Sequence, residues 1–442
     1  MTLKERFLYS DFHRVFNCKT PENTGRTMLL LNSVFGNVAN AVISGALYTS
    51  FLAENGIDIV RVGVISFIPY LSWLLSIFSP MVMSKFKKRR GIFIFNSVFY
   101  YCTVVLATTI MPRLVEDAAA KTIWFAVFLF LGNAVNAVLG SGTAAWHLHF
   151  IPEGRDLNVY VHYTNLAGLV LGNATGIISS VIAESLAKSG NQLMLLFWMR
   201  IGSFVLFLVA EYLLYVIPRE YPYPESNQKV RLSQLFTSPL RHRPFMLTLL
   251  IPVFWNIVTG LNANTYNYYL LETVHVPLSY LYINAMTSML GSILLSGLFR
   301  RLVDRASAYL SLCYFLIVYC LMEMFYVFLA PGRIPMYAIL VAIGGATGVG
   351  FSMAFNGLFY LQLPEDANKD LFSTFWNLVA NLAAFAGASL GTWILALFES
   401  HGVYNIFGMP FYGSQLICAI KVFGFGLLGL YCYRISRTLK IH

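Results

Sequence analysis

Long apolar stretches separated by short polar loops run along almost the whole chain. Twelve of them reach the length of about 20 residues that a helix needs to cross the hydrocarbon core of a bilayer. They lack the polar alternation of a barrel strand, and unpaired backbone groups are not tolerated in lipid, so the pattern predicts helices. The predicted spans are 27–52, 59–84, 91–111, 122–150, 158–187, 192–217, 244–271, 276–303, 306–330, 334–362, 370–398 and 410–433.

The composition agrees with a membrane location. Hydrophobic residues make up 57% of the chain and charged residues 11%, which leaves too little polar surface for a globular protein in water. We therefore expect an all-α integral membrane protein with twelve transmembrane helices. The cysteines form no CxxC pair and predict neither disulfides nor a metal site. No pattern in the sequence predicts a cofactor.

The net charge of +10 could indicate a nucleic-acid partner, but the basic residues sort by membrane side. Most lysines and arginines fall in the two termini and in alternate loops, and such basic loops remain in the cytoplasm. We therefore expect both termini in the cytoplasm, membrane lipids as partners and no nucleic acid. The opposite side receives only Arg61, Arg113, Lys121, Lys188 and Arg333.

The chain also contains an internal repeat. Residues 125–180 resemble residues 337–392, and a looser match relates 48–54 to 266–272. A half-chain repeat is typical of a transporter built from two lobes. The matched pairs include Gly132 and Gly344, Ala134 and Ala346, Tyr163 and Phe375, and Asn165 and Asn377. We expect Asn165 to lie over Asn377 when the two lobes are superposed.

A polar stretch from Arg219 to Arg243 divides the predicted helices six and six. The sequence therefore predicts two pseudo-symmetric six-helix bundles, residues 1–217 and 244–442, joined by a cytoplasmic linker over 218–243. This arrangement, with a basic loop after helix 2, resembles the major facilitator superfamily. The resemblance covers nearly the whole chain and depends on architecture more than on motifs.

Two loops are similar to the family's cytoplasmic motif. The loop after helix 2 keeps the basic cluster, with Lys88 and Arg89, and the loop after helix 8 also keeps the acidic residue, as Asp304 beside Arg305. The resemblance implies that these four residues gate the cytoplasmic ends of the lobes. For the first loop, charge that only sets the topology is an equally good interpretation.

Two membrane segments resemble family motifs in part. Helix 4 has Asn136 and Leu139 where the motif of proton-coupled members has Arg and Gln. Helix 5 contains Gly168 and Gly172, whose spacing lets two helices approach closely, and we interpret it as packing.

The resemblance implies that helices 1, 4, 7 and 10 line a central cavity. Buried amides in these helices either line water or bond across helices, and both interpretations are open for each residue. No Asp, Glu, Lys or Arg lies in the interior of the four helices, and amides with aromatic rings suit a neutral polyhydroxyl or amphiphilic solute. The candidate substrate-binding residues are Asn37, Asn40, Tyr48, Asn133, Asn136, Trp255, Asn256, Asn262, Tyr266, Asn267, Asn356 and Tyr360.

Four ionisable residues fall in helices that the resemblance places outside the cavity: Arg200, Glu211, Glu323 and Lys421. Arg200 and Glu211 are three turns apart on one helix face, which is too far for a direct ion pair. Glu323 has no basic residue near it in the sequence. We interpret it as a structural carboxyl that is not essential for ion coupling.

Together these features predict a secondary active or facilitative transporter, such as a symporter, for a small neutral polar solute, with sugar-like compounds among the candidates. Efflux of amphiphilic compounds is the alternative within the same class. A membrane-embedded enzyme is the alternative from another class, but the sequence shows no metal-ligand spacing, nucleophile motif or phosphate loop, so we do not expect an enzyme. We expect a monomer in a plasma membrane, the bacterial inner membrane. The substrate, the direction of transport and the coupling ion stay open.

Overall fold

The computed structural model describes residues 11–83, 85–152, 155–188, 190–221, 232–262, 265–356, 358–362, 369–400, 404–406 and 409–438. Twelve long helices dominate the described part of the chain. They are α1 Pro21–Glu54, α2 Ile59–Phe78, α3 Arg90–Arg113, α4 Ala118–Leu139, α5 Arg155–Ala187, α6 Gln192–Tyr215, α7 Arg243–Gly260, α8 Leu278–Arg305, α9 Ala308–Tyr326, α10 Ile334–Asn356, α11 Lys369–Ser400 and α12 Gly413–Thr438.

Shorter elements extend or connect these helices. The short helices are Asp11–Val15, Ser79–Met83, Thr143–Leu148, Leu232–Arg241, Thr265–Tyr268 and Leu358–Leu361, with a 3-10 turn at Gly140–Gly142. The strands β1, Tyr404–Ile406, and β2, Met409–Phe411, form an antiparallel hairpin in which Tyr404 pairs with Phe411.

Local sequence signals set several helix ends. Thr20 caps α1 by accepting from the backbone N–H of Asn23, and Asp58 and Asp117 cap α2 and α4 in the same way. The course of α1 breaks at Ser44, whose backbone is extended, and Gly45 follows with a φ of 60°, a conformation that favours glycine. The break divides α1 into Pro21–Ile43 and Gly45–Glu54.

Two helices contain π-helical turns. In α3 the turn spans Cys102–Ala107, and the turn Tyr269–Thr273 ends the continuation of α7. A π turn inserts an extra residue into the helix and is frequent at functional sites.

The chain divides into two compact units. The first unit comprises Met1–Asn55 and Leu75–Lys229. In it α1 packs against α5 and α6, and α3 packs against α4 and α6. Gly168 of α5 lies against Asn37 of α1, so close that a methyl group at Gly168 would come within 2.7 Å of the amide nitrogen of Asn37. The glycine spacing of helix 5 is therefore a packing feature, as interpreted from the sequence.

The second unit comprises Gly56–Leu74 and Val230–His442. Here α7 packs against α11 and α12, α9 packs against α10 and α12, and α8 packs against α10. The first part of α2 belongs to this unit because it packs along α11, where Phe67 meets Phe385 edge to face at 5.5 Å between ring centroids. Apart from α2, the helix pairs of the first unit recur in the second unit six helices later.

The predicted all-α membrane fold is confirmed, with the small hairpin as an addition. Eleven helices in the described residues are long and apolar enough to cross a membrane. The helix α8 is not among them, although its 28 residues are enough to span a bilayer. The chain is a multi-pass membrane protein. The division at 1–217 and 244–442, and the superposition of Asn165 on Asn377, stay predictions.

Candidate functional site

The first unit contains a cavity of about 320 Å³ beside α1. Residues of the first part of α1, all but one of them polar or small, form one side of it. Two tyrosines of α3 and a phenylalanine of α6 form the other side. The lining residues are Asn32, Ser33, Gly36, Asn37, Asn40, Ile43, Tyr100, Tyr101 and Phe207.

The polar side of the cavity follows from helical spacing. Ser33, Asn37 and Asn40 recur every three or four residues, so they share one face of α1. The Asn37 amide donates to the carbonyl of Ser33 at 2.7 Å, and Ser44 Oγ donates to the carbonyl of Asn40 at 2.6 Å. Asn37 and Asn40 remain exposed in the chain, as a role in binding a polar solute would require.

The aromatic side is built by α3 and α6. The rings of Tyr101 and Phe207 stack at 4.2 Å between centroids and 13° between planes, and Tyr100 meets Tyr101 edge to face. The π turn of α3 begins directly after Tyr101. The cavity therefore has amides on one wall and aromatic rings on the other.

A carboxylate lies immediately behind this wall. Ser97 Oγ donates to Glu211 Oε2 at 3.0 Å, and the Tyr101 hydroxyl donates to Oε1 at 3.4 Å. The Asn32 side chain also hydrogen-bonds to Glu211. Two of these three partners, Tyr101 and Asn32, line the cavity, so Glu211 of α6 is one hydrogen bond away from it.

Further along the same face of α6 lies Arg200, which is 2% exposed. Its guanidinium donates to Thr109 Oγ1 at 2.8 Å and to Thr108 Oγ1 at 2.9 Å, and lies 4.6 Å from the centroid of the Phe51 ring. Tyr48 is the other aromatic neighbour, at 5.3 Å, and its hydroxyl makes no hydrogen bond within the described residues. Arg200 and Glu211 do not pair, as expected from their spacing.

The second unit contains a buried ion pair that the sequence did not indicate. Lys421 of α12 pairs with Glu323 of α9, and Lys421 Nζ also donates to Asn262 Oδ1 at 3.3 Å. No basic residue lies near Glu323 in the sequence, but the fold supplies one, and the interpretation of Glu323 as a structural carboxyl stays a prediction. Proximity in sequence was the wrong criterion, because the partner lies on a different helix.

Two other predicted binding residues of the first unit, Asn133 and Asn136, form hydrogen bonds within α4 or between α4 and α3. Asn136 accepts at 2.9 Å from the amide of Asn96, which joins α4 to α3. Asn133 is buried and donates to the carbonyl of Leu129 within its own helix. Neither is among the residues that line the cavity. For Asn136 the structure favours the interhelical interpretation.

In the second unit, Trp255 stacks on Phe351 at 4.0 Å within the aromatic core, and Asn256 donates to the carbonyl of Pro252. Asn267 is half-buried, and the hydroxyl of Tyr266 is buried without a hydrogen bond within the described residues. The side chains of Asn356 and Tyr360 lie outside the described part. A role in substrate binding stays a prediction for all these residues.

Of the four predicted gating residues, Lys88 is exposed and Arg89 lies at the start of α3. The backbone N–H groups of Arg89 and Arg90 both donate to Glu220 Oε1, at 2.9 and 3.0 Å, so this carboxylate caps α3. The side chains of Asp304 and Arg305 lie outside the described part. Gating stays a prediction for this set.

The segment after α6 is also held to the start of α1. The Tyr221 hydroxyl donates to Glu22 Oε1 at 3.0 Å, and its ring stacks on His149 at 5.1 Å. Burial and then the hydrogen bond to Glu22 raise the pKa of the Tyr221 phenol. These contacts fix the first residues of the predicted interlobe linker to the first unit.

The sequence did not predict the lining residues Tyr100, Tyr101 and Phe207, or the position of Glu211 behind them. One signal for the charged residues was present. Arg200 and Lys421 occupy the same position counted from the first residues of α6 and α12. Both are buried, so each unit places a cation at the equivalent point.

The groups that line the cavity are suited to binding a solute. Amides donate and accept hydrogen bonds, and aromatic faces bind apolar ring surfaces, so a small solute with hydroxyl groups can be held on both walls. Within the described residues, no group of three or more His, Cys, Asp or Glu side chains could hold a metal ion.

No protein-family model matches the sequence, and no curated protein matches it. Solved structures do match over nearly the full chain. A bacterial homologue of the iron transporter ferroportin, in the inward-facing state, has a TM-score of 0.69 at 14% identity, over 93% of this chain and 98% of that chain. A bacterial homologue of the human lysosomal transporter Spinster, inward-facing and unoccupied, has 0.65 at 14% identity, over 95% and 98%.

The nucleoside transporter NupG is similar to the same degree, with a TM-score of 0.65 at 10% identity over 94% of this chain and 100% of that chain. The names of two of these proteins refer to different cargoes, iron and nucleosides, and both match this chain about equally well, so the likeness concerns the fold and not the substrate. The chain has the fold of these transporters, and the fold expected from its resemblance to the major facilitator superfamily is confirmed.

Proposed function

We propose that the protein is a secondary transporter that moves a small neutral polar solute, such as a sugar-like compound, across the membrane by alternating access. The observation that carries the proposal is the cavity of about 320 Å³ with amides on one wall and tyrosines on the other. Its size is within the range of small-molecule sites. The shared fold with solved transporters supports the class of function.

The charge around the cavity supports a neutral cargo. The residues that line it are amides, one serine, glycine, apolar and aromatic residues, without a lysine, arginine or carboxylate. An ionic cargo would need a compensating charge at the wall, because a charge removed from water without a partner is costly. We propose symport or facilitated diffusion, a monomer, and a plasma membrane of bacterial inner-membrane type with both termini in the cytoplasm.

Efflux of amphiphilic compounds is the second candidate. The observation that favours it is the aromatic side of the cavity, formed by Tyr100, Tyr101 and Phe207. The two candidates differ in the solutes that stabilise the protein.

The direct test is a solute screen on the purified protein, by thermal unfolding in detergent and then by counterflow in proteoliposomes. We expect polyhydroxyl solutes such as hexoses, polyols or nucleosides to raise the unfolding temperature and to exchange across the membrane. Stabilisation by hydrophobic cations or dyes, with none by polyhydroxyl solutes, would favour efflux. Stabilisation by neither class, with no exchange, would contradict the proposal.

Cysteine accessibility tests the cavity wall. We expect Asn40→Cys to react rapidly with a small water-soluble thiol reagent, because Asn40 lines the cavity and is exposed, and a transported solute should slow the reaction. The matched control is Ala39→Cys on the same helix, where the native side chain is fully buried. The measurement is the rate of mass increase above that of the parent chain.

Equal reaction rates at the two positions would mean that this face of α1 does not line a water-filled path. A fast reaction at Asn40→Cys that no solute from the screen slows would mean that the cavity is wet but does not hold the cargo.

A further inference from the structure

The carboxylate of Glu211 has no counter-charge among the described residues. Its hydrogen-bond partners Ser97, Tyr101 and Asn32 are all neutral, and the ion pairs found in the described part do not include it. Glu323 in the second unit, by contrast, is neutralised by Lys421. An ionised carboxylate inside a membrane span is costly unless a positive charge compensates it.

The groups around Glu211 are all suitable ligands for a hard cation. The carboxylate supplies two oxygens, the hydroxyls of Ser97 and Tyr101 on α3 supply two more, and the Asn32 amide of α1, which donates to the carboxylate in this structure, carries a further oxygen. Such an oxygen-only set with a single negative charge fits a monovalent cation, and it lacks the sulfur and imidazole ligands that transition metals prefer.

We propose that Glu211, Ser97, Tyr101 and Asn32 form a binding site for one monovalent cation, a sodium ion or a proton, at the wall of the cavity. Either ion neutralises the carboxylate and removes the cost of holding an unpaired charge in the membrane span. The use of this site in transport rests on the function proposed above, whereas the binding of the cation does not.

The cation site shares two residues with the cavity, so the binding of a cation can affect the binding of the solute. Tyr101 and Asn32 both hydrogen-bond to Glu211 and both line the cavity. When a cation binds, the Tyr101 hydroxyl and the Asn32 amide direct their oxygens towards it and no longer donate to the carboxylate, which changes the polar groups that the cavity presents to a solute. The cation and the solute then change each other's affinity by the same factor, because linkage is reciprocal.

Few other ionisable groups near Glu211 could account for a pH-dependent effect. The ionisable groups that interact with Tyr101, besides Glu211, are Tyr100 of α3 and Tyr215 of α6. Tyr48 is the only ionisable residue of α1 between Arg26 and Glu54, and it lies beside Arg200, which is three turns from Glu211 along α6.

The test is thermal unfolding of the purified full-length protein in detergent, with no solute present. Choline chloride is replaced stepwise by sodium chloride at constant ionic strength, and the series is repeated across a range of pH. A sodium site predicts a saturable rise of the unfolding temperature with sodium at fixed pH. A proton site predicts a rise on acidification that sodium does not affect.

Glu211→Gln keeps the shape of the side chain and removes the charge, so the ion-dependent rise should disappear. The matched control is Glu184→Gln, which removes a carboxylate from the last turn of α5 and should leave the rise unchanged. An identical ion dependence in wild type and Glu211→Gln, or no ion dependence in wild type, would overturn the proposal.

Ser97→Ala keeps the carboxylate and removes one hydroxyl oxygen from the proposed site, so it tests the site even if Glu211→Gln fails to fold. We expect it to shift the midpoint of the ion titration by on the order of tenfold in ion concentration. An unchanged midpoint would overturn the proposed ligand set. Because this test uses no solute, a failure of the transport assays would not affect the interpretation of its results. The absence of a cation effect would in turn not contradict the proposed transport function.

Discussion

Lys421→Met is expected to destabilise the protein more than any other single charge removal in the second unit. Lys421 and Glu323 are both almost fully buried, and removal of the lysine leaves the carboxylate in the membrane span without its counter-charge and Asn262 without its donor. Loss of one partner of a buried pair typically costs about 3–5 kcal/mol. The measurement is the unfolding temperature in detergent.

The double variant Lys421→Met with Glu323→Leu distinguishes the effect of an unpaired charge on stability from the effect of altered packing. Replacement of both partners by apolar residues of similar volume is often neutral for stability, so we expect the double variant to regain most of the loss. Lys188→Met is the control, since this lysine is exposed at the end of α5. If the double variant is no more stable than Lys421→Met, the effect is one of packing and not of an unpaired charge.

The same double variant tests the role of Glu323 in coupling. A folded double variant that still accumulates solute against a gradient would support the prediction that Glu323 is structural. Loss of accumulation with exchange retained would place the ion path in the second unit instead.

The membrane helices were predictable because lipid leaves the backbone few alternatives. Each apolar stretch must satisfy its own N–H and C=O groups, so length and hydropathy determine helix positions almost alone. The break of α1 at Ser44 and the π turn that starts at Cys102 were not predicted, because they depend on local geometry that hydropathy does not report.

The candidate site was predictable only in part. The polar face of α1 identified Asn37 and Asn40 because polar residues with helical spacing are rare in a membrane span. Tyr101 and Phe207 gave no such signal, since an aromatic residue in a membrane helix can face lipid or a neighbouring helix equally well. The pairing of Glu323 with Lys421 depends on which helices touch, and a single sequence does not state this.

Gly391→Leu is expected to prevent stable packing of α11 against α7. Gly391 faces the backbone carbonyl of Leu261, and Gly387, one turn earlier, faces that of Ile257; a side chain at either glycine would collide with rigid backbone. Overpacking usually costs about 1–3 kcal/mol, and a collision with backbone that cannot rotate away should exceed about 3 kcal/mol. We expect little monodisperse protein and a strongly lowered unfolding temperature.

Gly426→Leu is the matched control for this prediction. Gly426 is also in a long membrane helix, α12, but a methyl group there would meet no atom within 4 Å. The added leucine removes the backbone entropy cost of a helical glycine, so the control should be as stable as the parent chain or slightly more stable. If both variants lose stability to the same extent, membrane insertion of the glycine-containing helices is the sensitive step and the contact between α7 and α11 is not.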